Sequence, residues 1–278
     1  MNILVFSTPL GSFHRTVSIV YKLDMPAISS FPGAFGYGRG QPPASGGSGI
    51  ITNGLVIQLD ASNSSSYPGT GTTWFDITST NNGTLTNGPT FTNTAPKYFS
   101  FDGGSQYVNI ADTAAIRPSV GGAVTAIIWA YITSYNAFDG LVSKQFGSPT
   151  YDGFSMVFNT TNRLQLNMNG QSVNGIYVSA NTNIWSLNTW TMFTCVVRFG
   201  GGAGNPSRAY VNTTEVISAA NSESGIPSNT APLQLFNGIQ EGSSYPAGRS
   251  GSFYYYNRAL SAAEITTMFT ATRDRYGI

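Results

Sequence analysis

From Asn53 to the C terminus, short runs of β-branched, aromatic and aliphatic residues alternate with clusters of Gly, Asn, Asp, Ser and Pro. That rhythm predicts many short strands joined by tight turns, and hence an all-β fold. The expected strands are Gly54–Asp60, Tyr98–Phe101, Tyr107–Ile110, Ala123–Thr133, Gly140–Lys144, Gly153–Phe158 and Arg163–Met168. They continue with Ile176–Ser179, Trp190–Phe199, Arg208–Val211, Glu215–Ser218, Leu233–Phe236 and Ser252–Asn257. Two of them, AVTAIIWAYIT and WTMFTCVVRF, are apolar at both odd and even positions. This predicts central strands covered on both faces. Turn clusters such as Asn81-Asn82-Gly83, Asn87-Gly88-Pro89, Asp102-Gly103-Gly104 and Asn169-Gly170 fall between the runs, where the chain must reverse.

Only the end reads as helix. Ser261 and Glu264 form an S-x-x-E capping box, and Ile265, Met268 and Phe269 follow at helical spacing. The helix is expected to end near Tyr276-Gly277. Gly200 to Gly204 is glycine-rich, but neither helix nor lysine follows, so a hairpin loop is expected and not a phosphate cradle. Ahead of the β-rich region, Phe31 to Gly49 reads FPGAFGYGRGQPPASGGSG. Glycine and proline exclude helix and central strand there. It is either a linker or an extended arm whose Phe31, Phe35 and Tyr37 anchor on a neighbouring surface. Residues 1–24 have no basic leading region, and Pro9, Gly11, His14 and Arg15 interrupt the apolar stretch, which argues against a secretory signal. Met25 offers an alternative start. The organisation expected is an extension (1–24), a Gly/Pro-rich arm or linker (25–52) and one sandwich (53–278).

Composition narrows the partners. Of the 278 residues, 41% are hydrophobic and only 9% charged, with a formal net charge of +1. Gly, Ser, Thr and Asn carry the polarity, a surface suited to neutral partners such as sugars or neighbouring subunits. Without a Lys/Arg cluster, nucleic-acid binding is excluded. Cys195 is the sole cysteine, so no intrachain disulfide exists, and its apolar run marks it as a buried thiol. No apolar run reaches the roughly 18 residues of a membrane-spanning helix.

Three segments, in order, resemble the LamG-like concanavalin A domains of phage and bacteria: GLVIQLDASNSSSYPGTGTTWFDITSTNNGTLTNGPTF (Gly54–Phe91), FSFDGGSQYVNI (Phe99–Ile110) and GSFYYYNRALSAAEI (Gly251–Ile265). The resemblance implies a concanavalin A-like, laminin-G-type jelly-roll β-sandwich with a short C-terminal helix. Many such domains hold calcium on one rim, and Asp102 sits in the matching "FDG" motif. Gln106 stands where a further acid is common, and Asn212-Thr213-Thr214 replaces the usual Asp-Gly turn. Calcium wants six to eight oxygen ligands, so Asp102 would make at most a weak site, and no cofactor is required.

The same fold hosts glycoside hydrolases, which need two carboxylates flanking the scissile bond. The four glutamates, Glu215, Glu223, Glu241 and Glu264, have no acidic neighbour at alternate strand positions. His14, the only histidine, lies outside the domain, so zinc or a Ser/His/Asp arrangement lacks its parts. The expectation is therefore a protein that is not an enzyme. For carbohydrate, Tyr151, Tyr177 and Trp185 lie in or beside Asn- and Ser-rich loops, whereas Trp74, Trp129 and Trp190 are expected in the core. Likeness to phage structural proteins carrying this domain implies a virion surface protein, such as a capsid decoration, head fibre or tail-associated protein. Its arm would dock on other virion proteins while the sandwich meets host glycans, and a homo-oligomer is compatible with this. The alternatives are a bacterial surface or secreted carbohydrate-binding module and, less favoured, a glycoside hydrolase.

Overall fold

The computed structural model describes residues 49–119, 121–146, 152–159, 163–169, 176–180, 184–200, 202–221, 229–238 and 244–278. These fall within one packed unit, Gly46–Ile278. Phe31, Phe35, Tyr37 and Tyr151 lie outside the described residues.

The chain forms β1 (Leu55–Asp60), β2 (Thr73–Trp74), β3 (Gly83–Thr86), β4 (Thr90–Thr92), β5 (Tyr98–Asp102), β6 (Tyr107–Ile110), β7 (Ala123–Ser134) and β8 (Gly140–Gln145). Then come β9 (Gly153–Phe158), β10 (Leu164–Asn169), β11 (Ile176–Ser179), β12 (Trp190–Arg198), β13 (Gly202–Val211), β14 (Thr214–Asn221), β15 (Leu233–Leu235), β16 (Ala247–Tyr256) and helix α1 (Ala262–Thr272). Two antiparallel eight-stranded sheets result. The first runs β14-β13-β12-β7-β16-β5-β4, with β1 also on β16; the second runs β11-β10-β9-β8-β15-β6-β3-β2. The long β16 serves two partners on one side, β5 along its first half and β1 along its second.

The sheets press their inner faces together. Phe99, Ile128, Phe193, Cys195 and Phe253 from the first meet Val108, Phe154, Met156, Leu166 and Leu235 from the second. Cys195 is fully buried, and burial pushes its thiol up to about 12. The first sheet is apolar on its outer face as well. Ile127, Trp129, Met192, Tyr254 and Tyr256 form a second cluster there, closed by Ile265 and Met268 of α1, and the Trp129 indole N–H donates to Thr272 Oγ1 at 2.8 Å. This is why β7 and β12 carry apolar residues on both alternating faces. Ile50 and Ile51 join the same cluster, and the Ile51 N–H reaches Met268 Sδ at 3.3 Å, so the packed unit begins ahead of Asn53.

The capping box forms as expected: Ser261 Oγ accepts from the Glu264 N–H, and Glu264 Oε2 accepts from the Ser261 N–H. Glu264 also takes both terminal guanidinium nitrogens of Arg258. Hydrogen bonding from Arg258 is the main reason that its carboxyl falls to about 2. A depressed carboxylate contributes stability that is complete above its unfolded value, near 4.3, and is lost as pH falls through about 2. With side chains 26% and 29% exposed, screening reduces the effect to about 1 kcal/mol. Urea midpoints should therefore fall less between pH 6 and pH 3 in Glu264→Gln than in the native protein; an equal fall would refute the linkage.

Five strands depart from expectation. Strands β2, β3 and β4 are too short to show as periodic runs. Strand β13 begins at Gly202, where a loop was expected, because Gly202 pairs with Asn221 across a register shift that resumes at Ser207. Strand β16 begins at Ala247, since Arg249 and Ser250 pair with β5 although neither reads as a strand former.

Candidate functional site

The second sheet differs from the first on its outer face. Its inward positions are apolar apart from Lys144, so alternation turns the others outward. One row of partners crosses all eight strands: Thr73, Thr84, Asn109, Gln234, Ser143, Ser155, Asn167 and Tyr177. Every member is an uncharged residue with a hydroxyl or amide. At strand spacing, seven steps span about 33 Å.

Hydrogen bonds tie the row into two chains. On β8 to β11, Ser155 Oγ donates to Gln145 Oε1 at 2.9 Å, and Asn167 Nδ2 donates to Ser155 Oγ at 3.1 Å. Gln165 Nε2 then donates to Asn167 Oδ1 at 2.7 Å, Ser179 Oγ to Gln165 Oε1 at 3.1 Å and Asn159 Nδ2 to Ser179 Oγ at 2.7 Å. On β15 and β6, Gln234 Nε2 donates to Asn109 Oδ1 at 3.1 Å, and Asn237 Nδ2 donates to Gln234 Oε1 at 3.0 Å. Between these chains lies Ser143, 1% exposed, whose hydroxyl has no partner; Asn237 Oδ1 has none either. Buried polar groups are ordinarily satisfied, so two orphans in one array mark where a ligand group or water would bind.

The row opens at one end. Thr84 is exposed and Asn109 half-exposed, whereas Gln234, Ser143, Ser155 and Asn167 are buried. Tyr107 projects from β6 on the same face as Asn109, and its ring meets that of Tyr245 at 5.9 Å. Burial and the neighbouring Tyr107 push the Tyr245 hydroxyl up. Phe138 stands nearby, 44% exposed on a left-handed backbone (φ 70°), its carbonyl against Gly238. Gly238 and Gly140 both donate to the Ser244 carbonyl, drawing the Phe138, Asn237 and Tyr245 segments together. Gly140 has to be glycine, because a Cβ there would lie 2.2 Å from the Gly238 Cα. Amides, hydroxyls and half-exposed aromatic rings thus converge at the open end.

The residues expected from sequence fare differently. Trp185 is 8% exposed and packs against Tyr135, Phe158 and Phe193, so its ring belongs to the core and offers no open face. Tyr177 takes the last place in the polar row, opposite Asn167. Asp102 organises a turn: its Oδ1 accepts from the Gly104 and Ser105 N–H groups, and the Gly104 bond chiefly holds its carboxyl below the usual range. Gln106 bridges that turn to the next, accepting from the Asp102 N–H and donating to the Gly88 carbonyl. Among the described residues, no three His, Cys, Asp or Glu side chains come together. Tyr107, Asn109, Gln234, Asn237, Tyr245 and Phe138 were not anticipated. The alternation in LQLNMN and YVNI is the signal that would have found the amide row; nothing local marks Asn237 or Phe138.

The family model of the concanavalin A-like lectin/glucanases superfamily matches residues 102–266. Among solved structures, the chain is similar to the binding domain of Paraclostridial Mosquitocidal Protein 1, with a TM-score of 0.60 and 16% identity over 78% of this chain and 52% of that one. It is also similar to Trypanosoma rangeli sialidase (TM-score 0.59, 14% identity, 82% of this chain and 34% of that one). A third is the botulinum neurotoxin type C structure described by its interaction with two ganglioside molecules (TM-score 0.58, 14% identity, 78% and 51%). The chain thus spans between a third and about half of these relatives. A search of curated proteins found no match.

Proposed function

The chain belongs to the concanavalin A-like lectin/glucanases superfamily, and from that premise we propose that it is a non-enzymatic recognition protein holding neutral glycans on the outer face of its second sheet. The observation that carries this is the uncharged row that opens at Thr84 and Asn109 near the Tyr107–Tyr245 pair, with unpartnered polar atoms on Ser143 and Asn237 further in. Sugar hydroxyls can both donate to and accept from amides, while half-exposed aromatic rings receive the apolar face of a pyranose.

Catalysis is not part of the proposal. Asp139 and Asp152, whose carboxyls burial pushes up, sit at opposite ends of the β8–β9 pair. Asp139 lies opposite Phe158, six strand rises from Asp152, about 20 Å, beyond the roughly 5–9.5 Å at which two carboxylates cooperate on a glycosidic bond. Calcium is not needed either, since backbone N–H groups already engage Asp102. A panel of neutral oligosaccharides presented to the full chain should show saturable binding both in calcium and in chelator. A flat response throughout would overturn the proposal, and binding lost only in chelator would make Asp102 a metal ligand.

The finer proposal concerns setting: the surface of a phage particle, with the segment around Phe31, Phe35 and Tyr37 docking on other virion proteins. Its support is the arm's composition, the low charge of the chain and the likeness to phage structural proteins. Mass spectrometry of purified particles should detect the protein, and its absence would sink this setting while leaving glycan binding untouched.

A further inference from the structure

The outer face of the first sheet carries a patch that the neutral-glycan reading leaves unused. Ser100 on β5, Arg249 on β16, Tyr131 on β7 and Trp190 on β12 stand opposite one another across four adjacent strands. The Arg249 guanidinium carbon lies over two tyrosine rings, 4.8 Å from the centre of Tyr98 and 4.5 Å from that of Tyr131. Both rings in turn meet the Trp190 ring, at 5.8 and 5.7 Å. Tyr98, Ser100, Tyr131 and Arg249 are all half-exposed.

What distinguishes Arg249 is its charge environment. Arg117, Arg258 and Arg275 each face a carboxylate, those of Asp112, Glu264 and Asp60. Among the described residues, no carboxylate and no hydrogen-bond acceptor meets the Arg249 guanidinium. On β5 the acid on this face is Asp102, two positions from Ser100, with its Oδ1 committed to Gly104 and Ser105, and on β1 Asp60, opposite Ser252, is paired with Arg275. The rings touch the guanidinium through their π faces, whereas its N–H donors lie in its own plane. Arg249 is therefore oriented in advance with its donors uncommitted, which lowers the ordering cost of binding.

We infer that this patch is a second binding site, on the opposite face of the sandwich from the first, for a saccharide residue bearing one oxyanion, a carboxylate or a sulfate. A guanidinium grips such a group through two parallel N–H bonds. The hydroxyls of Tyr98, Tyr131 and Ser100 and the edge of Trp190 supply the mixed polar and apolar surround that suits a sugar ring. One cation, and not a cluster, argues against a polyanion such as an acidic peptide, whose capture grows with the number of charges neutralised.

The test titrates the full chain with a glucuronate-terminated tetrasaccharide, its sulfated counterpart and the uncharged parent. At least one charged probe should bind about tenfold or more tightly than the parent, the effect of one charge-assisted bond; which one does so identifies the oxyanion. Arg249→Gln should abolish that preference while leaving neutral binding and the melting temperature unchanged, and Arg249→Lys should keep only part of it. Ser143→Ala, which alters the neutral site, should leave the preference intact, so failure of one site is separable from failure of the other. If Arg249→Gln does not fold, Ser100→Asp places a carboxylate opposite Arg249 and should remove the preference instead. A preference that survives these changes, none in the native protein, or equal displacement by hexaglutamate would overturn the inference.

Discussion

Asp112→Ala is expected to destabilise the sandwich by about 3–5 kcal/mol, the cost of stranding a buried charge. The charge is that of Lys144, which lies opposite Phe154 on the core-facing side of β8 and is fully buried. Its ammonium donates to Asp112 Oδ1 at 2.8 Å and to the Asn229 and Ala231 carbonyls at 3.3 and 2.6 Å. Burial pulls the ammonium below its usual range, an effect that Asp112 partly offsets. Burial also raises the Asp112 carboxyl, but hydrogen bonds from Arg117 and Lys144 outweigh it and hold the group low. The Arg117 side chain is 40% exposed, so its share is small; Lys144 decides the outcome. Asp112→Ala combined with Lys144→Met should regain most of the loss, because it removes the charge as well as its partner. Urea unfolding followed by tryptophan fluorescence reads both variants, and a loss under about 1 kcal/mol for Asp112→Ala would refute the argument. The pair also bears on the glycan face, since it fastens β8 to the segment leading into β15, between which Ser143 and Gln234 are paired.

Much of the fold was legible because its cause is local. Strands β6, β9 and β11 fall on the residues that alternation and turn clusters predicted. The helix start was written in Ser261 and Glu264, and the double-faced apolarity of β7 and β12 announced covered strands. What stayed hidden depends on pairing. β2 has two residues, Thr73 and Trp74, and exists only because β3 lies beside it. Arg249 and Ser250 are strand because β5 and β7 hold them from both sides. The site was obscured for the same reason. Asn109, Gln234 and Ser143 are far apart in sequence, and only the β6-β15-β8 order makes them neighbours. Trp185 misled in the opposite direction: its Asn- and Ser-rich surroundings suggest a wet loop, yet its ring turns inward onto Phe158 and Phe193.

Ser143→Ala gives the most discriminating result expected for the glycan site, because stability and binding should move in opposite directions. The Ser143 hydroxyl is buried without a partner, a state that costs about 1–3 kcal/mol. Alanine removes the orphan and leaves a void the size of one oxygen, so the free protein should gain about 1 kcal/mol. If the hydroxyl is kept for a ligand, the same change should weaken neutral-glycan binding about tenfold, the worth of one buried hydrogen bond. Gln234→Ala is the contrast. It frees Asn109 Oδ1 and Asn237 Nδ2 at once, so stability should fall by about 1–3 kcal/mol along with affinity. Thermal unfolding and titration with the best neutral oligosaccharide measure both quantities on the same samples. A Ser143→Ala protein that is more stable and binds as before would show the hydroxyl to be a tolerated defect and not a ligand group. One that is less stable would mean that the hydroxyl is already satisfied by water, and the row would then bind through its remaining amides. A gain in stability coupled to a loss in affinity is the pattern of a site that holds polar groups unpaired until a sugar arrives.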